Sequence, residues 1–187
     1  MVKELIEPAE VREKVGIILK SVILTGVIIA SYFAGAAVAA MFNFQNTYIS
    51  GMWCAVTAVV VFDDLPENAK NLFGDRLLGT FMGALVGGIT ITLLGHLFFS
   101  ICLSLFVVCL VISLFKWRGA LKIACITTLI VNFTTFDYSV PEVWISSAMR
   151  FVEGVVGGSI SMFATLLYHK GRQKGLFIGT EPEQKTS

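Results

Sequence analysis

Six apolar segments place almost all of the chain's basic residues beside the same alternate connections, the asymmetry of a chain threaded through a bilayer. The segments run over Val15–Met41, Thr47–Phe62, Leu77–Gly95, Phe98–Phe115, Ala120–Phe133 and Val143–Tyr168. Thirteen of the fourteen lysines and arginines lie before the first segment or at its start, in the second and fourth connections, at the start of the fifth segment (Lys122), or after the sixth. The odd-numbered connections, Phe42–Asn46, His96–Leu97 and Thr134–Glu142, hold none. The positive-inside bias therefore predicts both termini in the cytoplasm, with Arg150 alone toward the far side.

Composition points the same way. With 56% hydrophobic and 14% charged residues and a mean hydropathy of +0.80, the chain lies outside the soluble globular range. Its charges are segregated by membrane side and form no patch able to grip nucleic acid. The expected class is an all-α membrane protein of six transmembrane helices, multi-pass in a bacterial inner membrane. Residues 1–14 read as an amphipathic or solvated cytoplasmic arm, 15–170 as the membrane domain and 171–187 as a mobile cytoplasmic tail. Ala37-Val-Ala39 has the small-residue spacing of a signal-peptidase site. Against cleavage stand an arm of about twenty residues holding Glu4, Glu7, Glu10 and Glu13, and an apolar run longer than a signal needs.

The second and fifth segments are short. At 16 and 14 residues they would span only ~21–24 Å as helices, against a hydrocarbon core of ~30 Å. Short segments at corresponding places in two halves point to a transport site. Cys54-Ala-Val-Thr57 resembles Cys125-Ile-Thr-Thr128. More extensively, Arg76-Leu-Leu-Gly79-Thr80-Phe-Met-Gly83-Ala-Leu-Val-Gly87 parallels Arg150-Phe-Val-Glu153-Gly154-Val-Val-Gly157-Gly158-Ser-Ile-Ser161. Three spans per repeat is an odd number, so the two repeats are expected to be inverted, with one arginine entering from each side.

At 100° per residue, positions 0, 4, 7 and 11 of such a run fall within about 60° of one another. Each arginine then shares a stripe with small residues that let helices approach closely. Gly79, Gly83, Gly87, Gly154 and Gly157 are accordingly the candidate packing positions. Arg76, Arg150, Thr80 and Glu153 are the candidate binding or pore residues, because an inward guanidinium in a membrane is costly and points to function. Two bland readings compete: Arg76 as an anchor that snorkels or pairs with Asp75, and Arg150 as half of a local pair with Glu153.

Little else carries chemistry. The cysteines 54, 102, 109 and 125 fall inside apolar segments and read as small apolar residues, with neither oxidation nor thiolate chemistry expected. His96 and His169 sit at segment ends and form no ligand pair. The Asn132-Phe-Thr134 sequon abuts the membrane and reads as chance. No catalytic constellation, metal site, nucleotide loop or cofactor is expected.

A short helix from Trp53 to Val61, an acidic, proline-containing turn from Asp63 to Glu67, and the run R-x-x-G-T-x-x-G-x-x-x-G from Arg76 to Gly87 resemble the fusaric-acid-resistance and aromatic-acid-exporter family over roughly residues 15–170. The membrane part of the plant aluminium-activated malate channels is similar. The resemblance implies a six-helix unit that dimerises and passes organic anions, with Arg76 and Arg150 lining the path. Asp63 and Glu153 are candidates for proton coupling or for neutralising an arginine. Unlike larger relatives, the chain is expected to lack a cytoplasmic domain and a second membrane unit. The expected function is a transporter or channel for small, including aromatic, carboxylates, acting as a homodimer or higher homo-oligomer. A non-transporting assembly or scaffold component is the alternative, and an enzyme is not expected.

Overall fold

In the computed structural model, the backbone is described for residues 2–42, 44, 47–95, 97–135 and 139–173, and side chains from residue 14 onward. Six helices follow in order: α1 (Val2–Met41), α2 (Thr47–Val61), α3 (Pro66–Leu94), α4 (Phe98–Leu114), α5 (Arg118–Thr134) and α6 (Val140–Gln173). No strand occurs among the described residues. Lys14–Met41, α3 and α6 are long and apolar enough to cross a membrane, while α2 and α4 are shorter apolar helices.

Helix ends depart from the apolar boundaries, and the reason is local. Interfacial turns are polar, so hydropathy alone truncates them. Helix α3 starts at Pro66, where the fixed proline φ suits a first helical position, and Glu67 follows in the first turn, where a carboxylate meets the positive end of the helix dipole. Asp63 Oδ1 closes the preceding turn, accepting from the Leu65 amide at 2.9 Å and Asn68 Nδ2 at 3.3 Å. The arm expected at 1–14 is not a separate element: its backbone is helical from Val2 and continuous with α1. Helix α6 likewise extends past Tyr168 to Gln173, into the stretch read as tail; residues 174–187 lie outside the described residues. Shortness is not confined to α2 and α5, since α4 and α5 are both 17 residues long.

The burial pattern is inside-out for a water-soluble bundle. Phe33, Phe81, Phe106, Phe163 and Leu167 are exposed, while Ser31, Ser50, Thr57, Ser104, Thr128, Ser161 and Thr165 are buried. Outward phenylalanines suit lipid, and several inward hydroxyls bond to backbone carbonyls, as Ser161 Oγ does to Ala58 O at 2.8 Å and Thr128 Oγ1 to Gly83 O at 3.2 Å. Asn132 is buried too, donating from Nδ2 to Thr128 O at 2.8 Å and Ser104 Oγ at 3.3 Å. The sequon asparagine thus serves packing.

Helices α3 and α6 form the centre and pack on each other. Helix α1 packs on α2 and α6, and α4 on α5 and α3; α3 also packs on α5 and α2, and α6 on α2 and α5. The closest approaches use glycines. A Cβ at Gly83 would overlap the Ala124 carbonyl of α5, one at Gly157 the Cys54 carbonyl of α2, and one at Gly79 would stand 2.7 Å from Ala120 O. A Cβ at Gly87 would stand 3.3 Å from Val131 Cγ1. Gly154 departs from expectation: its nearest neighbour, Leu77 Cδ2, would lie at an ordinary 3.7 Å. Gly158 makes the tighter contact, against the Phe73 ring.

Two further contacts tie the bundle. Lys20 Nζ of α1 reaches Asp64 in the α2–α3 turn at 2.8 Å. Cys109 of α4 and Cys125 of α5 bring their sulfurs to 3.3 Å, so two cysteines read separately as small apolar residues meet across a helix pair.

Candidate functional site

Arg76 and Arg150 occupy the same register in the two central helices. Each stands ten residues after its helix begins, at Pro66 and Val140 respectively, which carries it well inside the bundle. Their exposures are 7% and 6%, and that of Glu153 is 2%. Burial to this degree excludes the snorkelling reading of Arg76. Asp75 is not its partner either: the Asp75 carboxylate lies against Gly119 at the start of α5.

Arg76 Nε donates to Thr57 Oγ1 of α2 at 3.2 Å. Arg150 Nη1 pairs with Glu153 Oε2 at 3.0 Å, one helical turn on, and its guanidinium lies 5.7 Å from the centre of the Trp53 ring, within cation–π range. The local Arg–Glu pair is therefore present, and it sits inside a wider arrangement. Arg76, Arg150, Glu153 and Thr80 line one cavity together with Trp53, Thr57, Thr127 and Ile130. Thr80 Oγ1 is buried there without a hydrogen-bond partner among the described residues. The cavity measures about 10 Å³, room for about one water molecule by the ~10–15 Å³ a water requires. A carboxylate does not fit until the helices part.

All four candidate site residues are thus brought together. Asp63 is not; it shapes the turn before α3 and does not line the cavity. Trp53, Thr57, Thr127 and Ile130 come from α2 and α5, and sequence reasoning did not single them out as lining residues. A signal existed in the likeness of Cys54–Thr57 to Cys125–Thr128, but it is one residue out of step. Gly157 abuts the Cys54 carbonyl and Gly83 that of Ala124, so by contact Ala124 answers to Cys54, and Thr127 to Thr57. Both threonines then fall on the cavity. The two halves differ at the third residue after each arginine, Gly79 in α3 and Glu153 in α6.

The family model described as fusaric acid resistance protein-like matches residues 33–164. The chain belongs to that family. No curated protein and no solved structure matches it. The matched stretch runs from within α1 to within α6 and contains every residue lining the cavity. Membership in this fusaric-acid-resistance family, with apolar helices long enough to cross a bilayer, makes the chain a membrane protein of transporter-like kind for organic acids.

Proposed function

We propose that this protein passes small organic carboxylates, aromatic ones among them, across the bacterial inner membrane along a path whose fixed cations are Arg76 and Arg150. The observation that carries this is the convergence of two buried guanidinium groups from the central helices on one cavity. Buried cations of that kind replace part of an anion's hydration and reject cations. A planar guanidinium also meets a carboxylate with two parallel hydrogen bonds. Glu153 neutralises Arg150 while the site is empty and yields it to an incoming carboxylate.

The architecture we propose is six spans with cytoplasmic termini, built as two inverted repeats and assembled as a homodimer. The packing map supports the repeat: exchanging α1, α2 and α3 for α4, α5 and α6 leaves the set of touching helix pairs unchanged. The equal registers of Arg76 and Arg150 support it further.

The test is flux of a small aromatic carboxylate such as benzoate in proteoliposomes. Arg150→Ala is expected to abolish or sharply reduce it with the oligomer intact, and Arg150→Lys to retain part of it, since lysine keeps the charge but loses the fork. The small cavity favours the rival reading, a membrane scaffold that keeps the fold without a path. Full flux through a well-folded Arg150→Ala protein would remove the arginine path, and absence of flux from the unaltered protein under every gradient would establish the scaffold.

A further inference from the structure

We propose that Cys109 and Cys125 are a redox site, oxidised by a lipid-soluble quinone to a reversible disulfide that ties α4 to α5. Their sulfurs lie 3.3 Å apart, so closing to the ~2.05 Å of a disulfide requires movement of about an ångström. The two residues stand on either side of the tight turn at 115–117, where Lys116 takes a left-handed φ of 58°, so the helix pair is held together on a short loop. Neither sulfur is committed elsewhere as Cys54 is, whose thiol donates to the Glu153 carbonyl at 3.4 Å.

Surroundings decide the oxidant. Both cysteines are half-buried and pack with Leu78, Met82, Val107 and Leu121 against an apolar cluster, while the neighbouring Phe106, Leu110 and Ile126 face outward. A charged reagent must shed its hydration to enter such a place, whereas a quinone dissolves in the acyl chains. The thiols lose their hydrogens, the sulfurs bond, and two electrons with two protons convert the quinone to its hydroquinone. Thiol exchange requires a thiolate to reach the bridge, so charged cytosolic thiols reduce it slowly, and the bridge outlasts the oxidising episode. Its effect falls on α5, the helix that supplies Thr127 and Ile130 to the cavity wall. This inference stands on the sulfur geometry and does not depend on the transport reading.

The experiment treats the full chain in proteoliposomes with a short-chain ubiquinone, then counts free thiols by alkylation in denaturant and maps the peptides. Of the four cysteines, two are expected to become unavailable through a Cys109–Cys125 link, in the unaltered protein and in Cys102→Ser alike. Cys109→Ser and Cys125→Ser should form no internal link. The link should resist a charged phosphine in intact vesicles and yield to it in detergent. Four free thiols, in a preparation whose exposed Cys102 still takes a lipid-soluble maleimide, would overturn the proposal. So would a quinone adduct on either sulfur singly, a link through Cys54 or Cys102, or equally fast reduction in vesicles and detergent.

Discussion

Removing Glu153 should cost more than removing Arg150, although they are two halves of one ion pair. Glu153 is the single carboxylate among the residues lining the cavity, which Arg76 and Arg150 share with it. Glu153→Gln preserves shape and takes the carboxylate from about 10 Å³ of space that two guanidiniums line. Stripping one partner from a buried pair costs ~3–5 kcal/mol, and side-chain exposures of 5% and 3% put this pair in the buried class. Arg150→Gln instead leaves Arg76 and Glu153 balanced in the same cavity. The loss there is closer to that of a charge-assisted hydrogen bond, ~1.5–3 kcal/mol. A carboxylate ligand reverses the order of response. At ten times its dissociation constant a bound anion contributes ~1.4 kcal/mol, and it binds the glutamine variant more tightly because no resident carboxylate competes. Heating detergent-solubilised protein and following the monodisperse fraction, with and without benzoate, measures both effects. The reasoning is refuted if Arg150→Gln is the less stable variant, or if benzoate protects the unaltered protein as much as Glu153→Gln.

Gly157→Leu and Gly83→Leu should each prevent correct assembly, because a side chain there meets a backbone carbonyl that cannot rotate away, and overpacking costs ~1–3 kcal/mol or more. Gly26→Leu, with nothing within 4 Å, should leave the size-exclusion profile unchanged. Topology is checked by reporters: a cytoplasmic one should be active after Lys70 and an external one at Ser139, and the reverse result would invert the orientation.

The helical class and the share of the cavity lining that comes from α3 and α6 were legible because both are written in local spacing. Arg76 and Thr80, like Arg150 and Glu153, are neighbours on one helix face, and a 3.6-residue period places them without knowledge of the other helices. Contacts between helices are another matter. Trp53 and Thr127 reach the cavity only through the register of α2 and α5, which a short likeness misplaces by one residue. Gly154 and Gly158 share a stripe, and only the position of Phe73 decides which is crowded. Asp63 drew notice as an acid beside a proline, yet those features also make a helix start, and that is its part here. The cysteine pair has no signature in the chain, since residues 16 apart meet through the packing of α4 on α5.

Where a glycine lies on a carbonyl, no side chain interlocks with another. Along the seams between α3 and α5 and between α6 and α2, the central helices come against backbone carbonyls at Gly79, Gly83 and Gly157, with the Ile123 and Thr127 side chains beside the first two. Interlocked side chains resist gliding because every knob must leave its hole before the next can be entered. A seam with glycine on one side offers fewer such obstacles, so displacement along the helix axis costs less than displacement across it. The space between the arginines is therefore expected to open by sliding: α3 and α6 travel lengthwise over their short neighbours and carry the two guanidiniums apart without lifting either helix from its seat.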